Sequence, residues 1–402
     1  MAKTAGPREV CAGSTITLSN ASTGGTGVWS SNATGVATVD NNGLVRGVGA
    51  GNAVITYTVT TGSGCVSQDT ARVTVNALPQ IVKTAGSREV CAGSTITLSN
   101  ATAGGTGVWS SSATGVASVD NNGVVRGVGA GNAVVTYTVT TGLGCVSQDT
   151  ARITVNALPQ MLKTAGSRGV CAGSTITLSN ASTGGTGVWS SNATGVATVD
   201  NNGIVRGVGA GNAVITYTVT TGSGCVSQDT ARVTVNALPQ MVKTAGSRGV
   251  CVGSTITLSN ASTGGTGVWS SSANGIATVD NNGVVRGVGA GNVVITYTVT
   301  TGSDCVSQDT ARINVSALPQ MVKTAGPREV CAGSTITLSN ASTGGTGVWS
   351  SNNPGVATVD NNGVVRGAGA GNAVVSYTVT TGSGCISQDT ARITVNALPQ
   401  MV

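Results

Sequence analysis

The sequence predicts an all-β protein, an array of five tandem β-sandwich domains of 80 residues each. The first observation is repetition, because residues 28–48 (VWSSNATGVATVDNNGLVRGV) return almost unchanged at residues 108, 188, 268 and 348. A fixed period of this kind indicates five copies of one structural unit. The second observation is composition: 61 glycines, abundant Thr, Val, Ser and Asn, and a charged fraction of only 8% are typical of strands and turns.

Alternation of apolar and polar residues marks the strands within a unit. Residues 14–19 (STITLS) alternate in this way, and so do residues 53–61 (AVITYTVTT) and residues 68–77 (QDTARVTVNA). The dipeptide Asn42-Gly43 lies between two β-rich runs. It predicts a hairpin closed by a tight turn of the primed type, in which both residues take a positive φ.

Two further runs, REVC at residues 8–11 and GVWSS at residues 27–31, bring the count to about seven short strands per unit. This number and spacing of strands predict an immunoglobulin-like sandwich. Each unit has one Trp and one Tyr, Trp29 and Tyr57 in the first, and we expect both in a core that is otherwise built from small or β-branched residues.

The repeat period sets the expected domain boundaries. The five units are residues 1–80, 81–160, 161–240, 241–320 and 321–402, and the last includes the start of a further repeat. Neighbouring units meet at the sequence NALPQ, residues 76–80 in unit 1, where the φ angle of Pro79 is fixed by its ring. We therefore expect stiff joints and a rod on the order of 200 Å long.

The cysteines occur at two fixed places in each unit, and an even number in fixed register predicts a disulfide framework. The expected pairing is within a unit, Cys11 with Cys65, and the alternative joins neighbouring units through Cys65 and Cys91. Disulfides imply export to an oxidising compartment, so we expect an extracellular protein, either at the cell surface or in a secreted fibre. The ten cysteines are Cys11, Cys65, Cys91, Cys145, Cys171, Cys225, Cys251, Cys305, Cys331 and Cys385.

The residue content argues against catalysis, cofactors and metals. Without any His, neither a Ser-His nor a Cys-His nucleophile pair can form, and two thiols per unit cannot build a four-ligand zinc site. Residues 40–42 (DNN) could offer oxygen ligands to calcium, but a turn stabilised by the Asp side chain is the expected alternative. The glycine-rich residues 47–53 precede a strand rather than a helix, which indicates a hairpin turn and not a phosphate loop.

The charge pattern and hydropathy limit the partners. The net charge of +6 comes from dispersed Lys and Arg residues rather than a basic stripe, so we expect no nucleic-acid binding. No run of 18 apolar residues exists, so we expect no membrane-spanning helix. Met1 fills an ordinary repeat position, and Met401 and Val402 open a further repeat, so we expect the sequence to be a window within a longer array.

Residues 28–59 (VWSSNATGVATVDNNGLVRGVGAGNAVITYTV) resemble the bacterial immunoglobulin-like domain of group 2. The flanking VCAGSTITL and GCVSQDTARVTV segments resemble the version found in tandem in large surface and adhesin proteins of Bacteroidota. The resemblance covers all five units. It implies a stalk or spacer role at the cell surface, or in some cases an adhesive tip.

A second resemblance implies a modification site in each unit. The sequence DTA at residues 69–71 is similar to the O-glycosylation acceptor of Bacteroidota, although an unmodified strand threonine is the simpler interpretation. The single Lys of each unit also leaves open an isopeptide crosslink from Lys3 to an Asn. The candidate acceptor threonines are Thr70, Thr150, Thr230, Thr310 and Thr390.

These expectations favour a structural extracellular protein, a tandem array that forms a cell-surface stalk or is itself a filament. The alternative is an adhesive module of a large adhesin that binds carbohydrate or a host surface. The expected partners are copies of the same chain, through lateral or end-to-end assembly, or neighbouring domains of a longer chain. Low charge and open sheet edges make pairing with other copies plausible.

Overall fold

The computed structural model describes residues 1–399, and in this range each unit contains two β-sheets and no helix. The expected repeat start at Met401 and Val402 lies outside the described residues. The strands of unit 1 are β1 (Glu9–Cys11), β2 (Thr15–Thr17), β3 (Thr26–Ser31), β4 (Ala37–Val39), β5 (Leu44–Gly47), β6 (Gly51–Thr60) and β7 (Val66–Asn76).

Units 2 to 5 repeat these strands at nearly constant spacing. Unit 2 has β8 (Glu89–Cys91), β9 (Thr95–Thr97), β10 (Thr106–Ser111), β11 (Ala117–Val119), β12 (Val124–Gly127), β13 (Gly131–Thr140) and β14 (Val146–Asn156). Unit 3 has an additional short first strand and contains β15 (Ala165–Gly166), β16 (Gly169–Cys171), β17 (Thr175–Ser179), β18 (Thr186–Ser191), β19 (Ala197–Val199), β20 (Ile204–Gly207), β21 (Gly211–Thr220) and β22 (Val226–Asn236).

The last two units again have seven strands each. Unit 4 has β23 (Gly249–Cys251), β24 (Thr255–Thr257), β25 (Thr266–Ser271), β26 (Ala277–Val279), β27 (Val284–Gly287), β28 (Gly291–Thr300) and β29 (Val306–Ser316). Unit 5 has β30 (Glu329–Cys331), β31 (Thr335–Thr337), β32 (Thr346–Ser351), β33 (Ala357–Val359), β34 (Val364–Gly367), β35 (Gly371–Thr380) and β36 (Ile386–Asn396).

The strands of unit 1 form a large sheet in the order β1-β7-β6-β3 and a small sheet in the order β2-β5-β4. All pairs are antiparallel except β1 with β7, which run parallel with Glu9 opposite Thr74 and Cys11 opposite Asn76. The predicted sandwich of about seven short strands is confirmed. The register of this parallel pair determines where Cys11 lies relative to β7.

The core lies between the two sheets and follows the predicted alternation. On β6, Ala53, Ile55 and Val59 are buried. On β7, Val73 and Val75 are buried, while Thr74 between them is partly exposed. Burying these methyl and methylene groups removes apolar surface from water, at about 0.8 kcal/mol for each buried CH₂. The single core of each unit therefore depends mainly on Val, Ile and Ala packing.

The aromatic pair packs at one end of this core. Trp29 is buried, and its ring centroid lies 4.6 Å from that of the half-buried Tyr57, which is directly opposite on the neighbouring strand. Gly27 lies beneath the Tyr57 ring, and a Cβ at this position would overlap the phenol. The sequence-based expectation that both aromatic residues serve the core is consistent with this packing.

The hairpin at Asn42-Gly43 exists, but its turn is not of the primed type. Only Gly43 has a positive φ, +79°, while Asn42 does not. The N–H of Gly43 donates to the Asp40 carbonyl, and the N–H of Asp40 donates to the Leu44 carbonyl. This is a type I turn followed by a left-handed glycine, a three-residue hairpin loop rather than the predicted two-residue one. The Asp40 carboxylate stabilises it by accepting the N–H groups of Asn42 and Leu44.

We predict that Gly203→Ala destabilises unit 3. Gly203 has φ +78°, and an added Cβ would overlap the Leu178 carbonyl oxygen. The expected loss is about 2 kcal/mol or more, because a left-handed conformation with a side chain is strained. Differential scanning calorimetry should show one unit unfolding about 10 °C lower than in the parent protein. The matched control is Gly195→Ala, because a Cβ added there would have no heavy atom within 4 Å apart from those of the adjacent residues. Equal melting curves for both variants would contradict the expectation.

Candidate functional site: the junction between units

The two cysteines of a unit lie at opposite ends of the sandwich. Cys11 ends β1 and is paired with Asn76, the last residue of β7. Cys65 lies immediately before Val66, the first residue of the same strand. Eleven residues of extended strand separate the two ends by about 35 Å. We call the end with Asn76 the exit end of a unit, and the end with Cys65 the entry end.

Disulfides join the exit end of one unit to the entry end of the next. The Cα–Cα distances are 5.5 to 5.6 Å, and each bridge closes a loop with a sequence separation of 134. In the chain-entropy model one such loop stabilises the folded state by about 5 kcal/mol. The bridges are Cys11–Cys145, Cys91–Cys225, Cys171–Cys305 and Cys251–Cys385.

The expected pairing of Cys11 with Cys65 is therefore wrong, and so is the alternative of Cys65 with Cys91. A disulfide needs Cα atoms less than about 7 Å apart, whereas β7 keeps Cys11 and Cys65 a whole strand length apart. Cys91 lies at the exit end of unit 2, still farther from Cys65. Among residues 1–399, Cys65 and Cys331 have no disulfide partner, and this range contains no cysteine 134 residues before Cys65 or 134 residues after Cys331.

The connecting segment is attached to the unit that follows it. Pro79 is buried, and its carbonyl accepts a hydrogen bond of 2.7 Å from the hydroxyl of Ser147 in unit 2. The Asn100 side chain donates to the carbonyl of Val82 and to the hydroxyl of Thr84. Only Ala77 and Leu78 remain exposed between Asn76 and Pro79. The proline joint is thus a packed contact, and two covalent connections cross each junction.

Contact between units also buries the entry end. Cys145 is 1% exposed and Val139 0%, whereas Cys65 and Val59 of unit 1, whose entry end is not in contact with another unit among residues 1–399, are more exposed. One sulfur of every bridge is therefore shielded from solvent. Shielding of this kind slows attack by external thiols, because exchange requires access to a sulfur atom.

A buried carboxylate fixes the first residues of each unit. The Asp149 side chain is 5% exposed, and one of its oxygens accepts the backbone N–H of Thr84 at 2.7 Å while the other lies 3.0 Å from the Lys83 ammonium. The N–H of Thr84 is the main reason that the pKa of Asp149 falls from 3.8 to about 2, against the opposing effect of burial. Lys83 is 95% exposed, so its ion pair contributes little.

The same arrangement recurs in all five units. The carboxylates are Asp69, Asp149, Asp229, Asp309 and Asp389, and the pKa of each is about 2. For Asp309 the Lys243 ammonium is the largest cause. For Asp389 burial, which raises the pKa, is the largest single effect, and the hydrogen bonds from Thr324 and Lys323 together outweigh it.

This aspartate also changes the interpretation of the DTA sequence. Asp69 binds the Thr4 N–H and the Lys3 ammonium, so a structural reason exists for an Asp at this place. Thr70 is exposed on β7, as are Thr150, Thr230, Thr310 and Thr390 in the other units. Glycosylation of these threonines stays a prediction. The nearest partner of Lys3 is this carboxylate and not an Asn, so the isopeptide interpretation has no support from the geometry.

The described residues give no candidate for a metal or a membrane span. Within residues 1–399 no three His, Cys, Asp or Glu side chains come together in an arrangement that could bind a metal ion. Asp40 instead bonds to the backbone of its own turn. Over the same residues no helix has the length and apolar character needed to cross a bilayer.

Comparison with protein families identifies the repeated unit. The model of the bacterial Ig-like domain (group 2) matches residues 13–70, 172–229, 250–309 and 332–387, together more than half of the chain. The chain belongs to this family. Unit 2 lies outside these ranges but has the same strands and registers as the other Ig-like domains.

A curated relative is Ice-binding protein 1 of Shewanella frigidimarina (strain NCIMB 400), 27% identical over 413 residues. The match covers 92% of this chain and 44% of that protein, so the chain spans less than half of the relative's length. Among solved structures, Drosophila N-cadherin EC1-4 has 13% identity and a TM-score of 0.21, covering 77% of this chain and 98% of that one. Surface layer protein SbsC, domains 1-6, has 15% identity and a TM-score of 0.20, covering 96% of this chain and 66% of that one. Neither structural likeness is strong enough to carry an argument.

Sequence reasoning missed two features of the Ig-like domain junction. One is the parallel β1-β7 pair, since no local pattern records the relative direction of two distant strands. The other is the role of Asp69 and its equivalents, for which a signal was present. A Lys-Thr pair opens every unit and an Asp recurs about 65 residues later, which is the recurrence expected of a contact repeated in every unit.

We predict that the Ig-like domains lose stability as the pH falls from about 4 to about 2. A carboxyl group whose pKa is lowered by folding stabilises the native state above its unfolded pKa of 3.8, and this contribution is lost as the pH falls through about 2. In Asp229→Asn, unit 3 should melt at a lower temperature at pH 7 and should lose less than the other units on acidification. Calorimetry at pH 7, 3 and 2 measures both effects.

The matched control is Lys163→Ala, which removes the exposed partner of Asp229. It should change the stability of unit 3 by no more than about 1 kcal/mol, because exposed ion pairs contribute little. If Lys163→Ala destabilises as much as Asp229→Asn, the ion pair and not the Thr164 N–H bond stabilises this segment.

Proposed function

We propose that this chain is a structural extracellular protein whose Ig-like domains form a stiff stalk. The observation that carries the proposal is the disulfide at every junction between consecutive units. A second covalent connection beside the main chain restricts bending and twisting at the joint. Packing of Pro79 and its equivalents against the next unit acts in the same direction.

The proposed extracellular location follows from the disulfides. Eight of ten cysteines are bridged, and bridges of this number form and persist in oxidising compartments. The Shewanella relative supports a spacer role, because more than half of its length lies outside the part that this chain matches. In such an arrangement the array would present other parts of a protein at a distance from the cell.

A stalk is favoured over a binding module by the aromatic residues. Ligand-binding surfaces of adhesive modules commonly use exposed Tyr and Trp side chains. Here Trp29 is buried and packs against Tyr57, and each unit has only one of each. The outward face of the large sheet has hydroxyl groups instead. Some of them accept hydrogen bonds from neighbouring side chains, as the Thr58 hydroxyl does from the Gln68 amide.

A stalk is also favoured over a laterally assembled filament. The edge strand β3 has one exposed apolar side chain, Val28, which is 52% exposed and flanked by Thr26 and Ser30. A single Val on this edge strand is a small apolar contact for a stable lateral interface through β3. The contacts between units that the structure shows are the disulfides and hydrogen bonds at the junctions along the chain, and they are already made within one molecule.

We predict isolated rods in electron micrographs of the purified protein under non-reducing conditions. Five units of about 40 Å, the length expected from the strands, should give rods of about 200 Å. Immunogold labelling of intact cells should place the chain outside the cell envelope. Ordered fibres with lateral packing of many chains would overturn the stalk in favour of a filament, and labelling confined to the cell interior would overturn the extracellular role.

A further inference from the structure

The arrangement of the bridges determines how a pulling force passes through the array. Consecutive bridges overlap in sequence, since Cys91 lies between Cys11 and Cys145. As a result, each bridge allows a covalent path to bypass most of two units, since it joins cysteines with a sequence separation of 134. We infer that the array is an almost inextensible covalent cable. A pulling force is carried by the last strand of a unit, the connecting segment after it and the disulfide, rather than by the folded sandwiches. This inference rests on the proposed structural role and specifies its mechanical basis.

The path begins at the entry end of unit 2. From Cys145 it follows β14 to Asn156, continues through the connecting segment, and reaches Cys171 at the end of β16. The disulfide of Cys171 then leads to Cys305, the equivalent of Cys145 two units later. Repetition of this step carries the path along an array of any length.

The fully extended length of this path is only slightly greater than its length in the folded array. Cys145 and Cys171 are 26 residues apart in sequence, and a fully extended chain reaches about 3.3 to 3.6 Å per residue, so the segment can span about 90 Å at most. In the folded array the same two cysteines are separated by two strand lengths and one junction, or about 80 Å. Most of the segment is therefore already extended.

The registers support this estimate of the folded length. β14 ends at Asn156, which is opposite Cys91, and the Cα of Cys91 lies 5.6 Å from that of Cys225 at the entry end of unit 3. From Cys225 the strand β22 leads to Asn236, which is opposite Cys171. The two ends of the path are thus two strands and one bridge apart.

The main chain over the same two units is much longer. Two units contain 160 residues, which would extend to about 550 Å if they unfolded without bridges. With the bridges intact, unfolding of both units lengthens the array by only about 10 to 20 Å. Loss of the native fold in one unit would then leave the length of the stalk nearly unchanged.

Single-molecule force spectroscopy on the full chain tests this inference. Attachment points at Val146 and Val306, exposed equivalents in units 2 and 4, can be introduced as clickable amino acids. The bridged protein should extend to no more than about 100 Å between these points before covalent rupture. After reduction the same protein should extend to about 550 Å, with the unfolding of individual units visible.

Two double variants distinguish the bridge on this path from a bridge outside it. Cys171→Ser with Cys305→Ser removes the bridge on the path, and the shortest remaining route through Cys91–Cys225 allows about 470 Å. Cys11→Ser with Cys145→Ser removes a bridge that is off the path and should leave the limit at about 100 Å. A limit near 190 Å in the parent protein, as for disulfides closed within each unit, would overturn the inference, and so would a large extension of the second variant.

The outcome is independent of the stalk proposal. A parent protein that extends to several hundred ångströms without reduction would refute the cable while leaving a rod seen by microscopy unaffected. A chain that forms lateral fibres on cells would refute the stalk, although its single molecules could still be inextensible.

Discussion

The pairing of β1 with the last residues of β7, repeated in every unit, is the constraint on which the rest of the array depends. Pairing of β1 with the first residues of β7 would have placed Cys11 at the end where Cys65 lies. The parallel register instead places Cys11 beside Asn76, at the point where the chain leaves the unit. The end of β7 and the Cys11 sulfur therefore lie at the same end of unit 1, and both are covalently connected to unit 2.

The junction follows from this geometry through ordinary interactions. Pro79 limits the connecting segment, Ser147 hydrogen-bonds to its carbonyl, and Asp149 accepts the N–H of Thr84. These contacts attach the segment to the following unit. The short stretch Ala77-Leu78 and one disulfide then connect the two units. Small, thinly packed domains often need covalent crosslinks, and here the crosslinks stabilise the array as a whole rather than single domains.

Local features could be predicted from the sequence, and long-range ones could not. The strands, the inward side of β6 and β7 and the hairpins follow from alternation and turn residues, which act over a few positions. The turn at Asn42-Gly43 was wrong in type because the Asp40 carboxylate stabilises a type I turn and leaves only Gly43 with a positive φ.

The disulfide partners were wrong for a different reason. In a repeat protein every cysteine has equivalents in the other units, so spacing alone does not distinguish a bridge within a unit from one between units. The choice depends on where along β7 the short strand β1 pairs, which hydrophobic patterns do not encode. The disulfide pairing becomes evident only when Cys11 is known to lie opposite Asn76, at the far end of β7 from Cys65.

Peptide mapping by mass spectrometry under non-reducing conditions tests the central claim most directly. Trypsin releases residues 9–46, which contain Cys11, and residues 127–152, which contain Cys145 and carry Leu143 where unit 1 has Ser63. We predict that these two peptides are recovered as one disulfide-linked species. Recovery of residues 9–46 linked to the peptide that residues 47–72 and 207–232 share, which contains Cys65 or Cys225, would contradict the account, because neither of these is the predicted partner of Cys11.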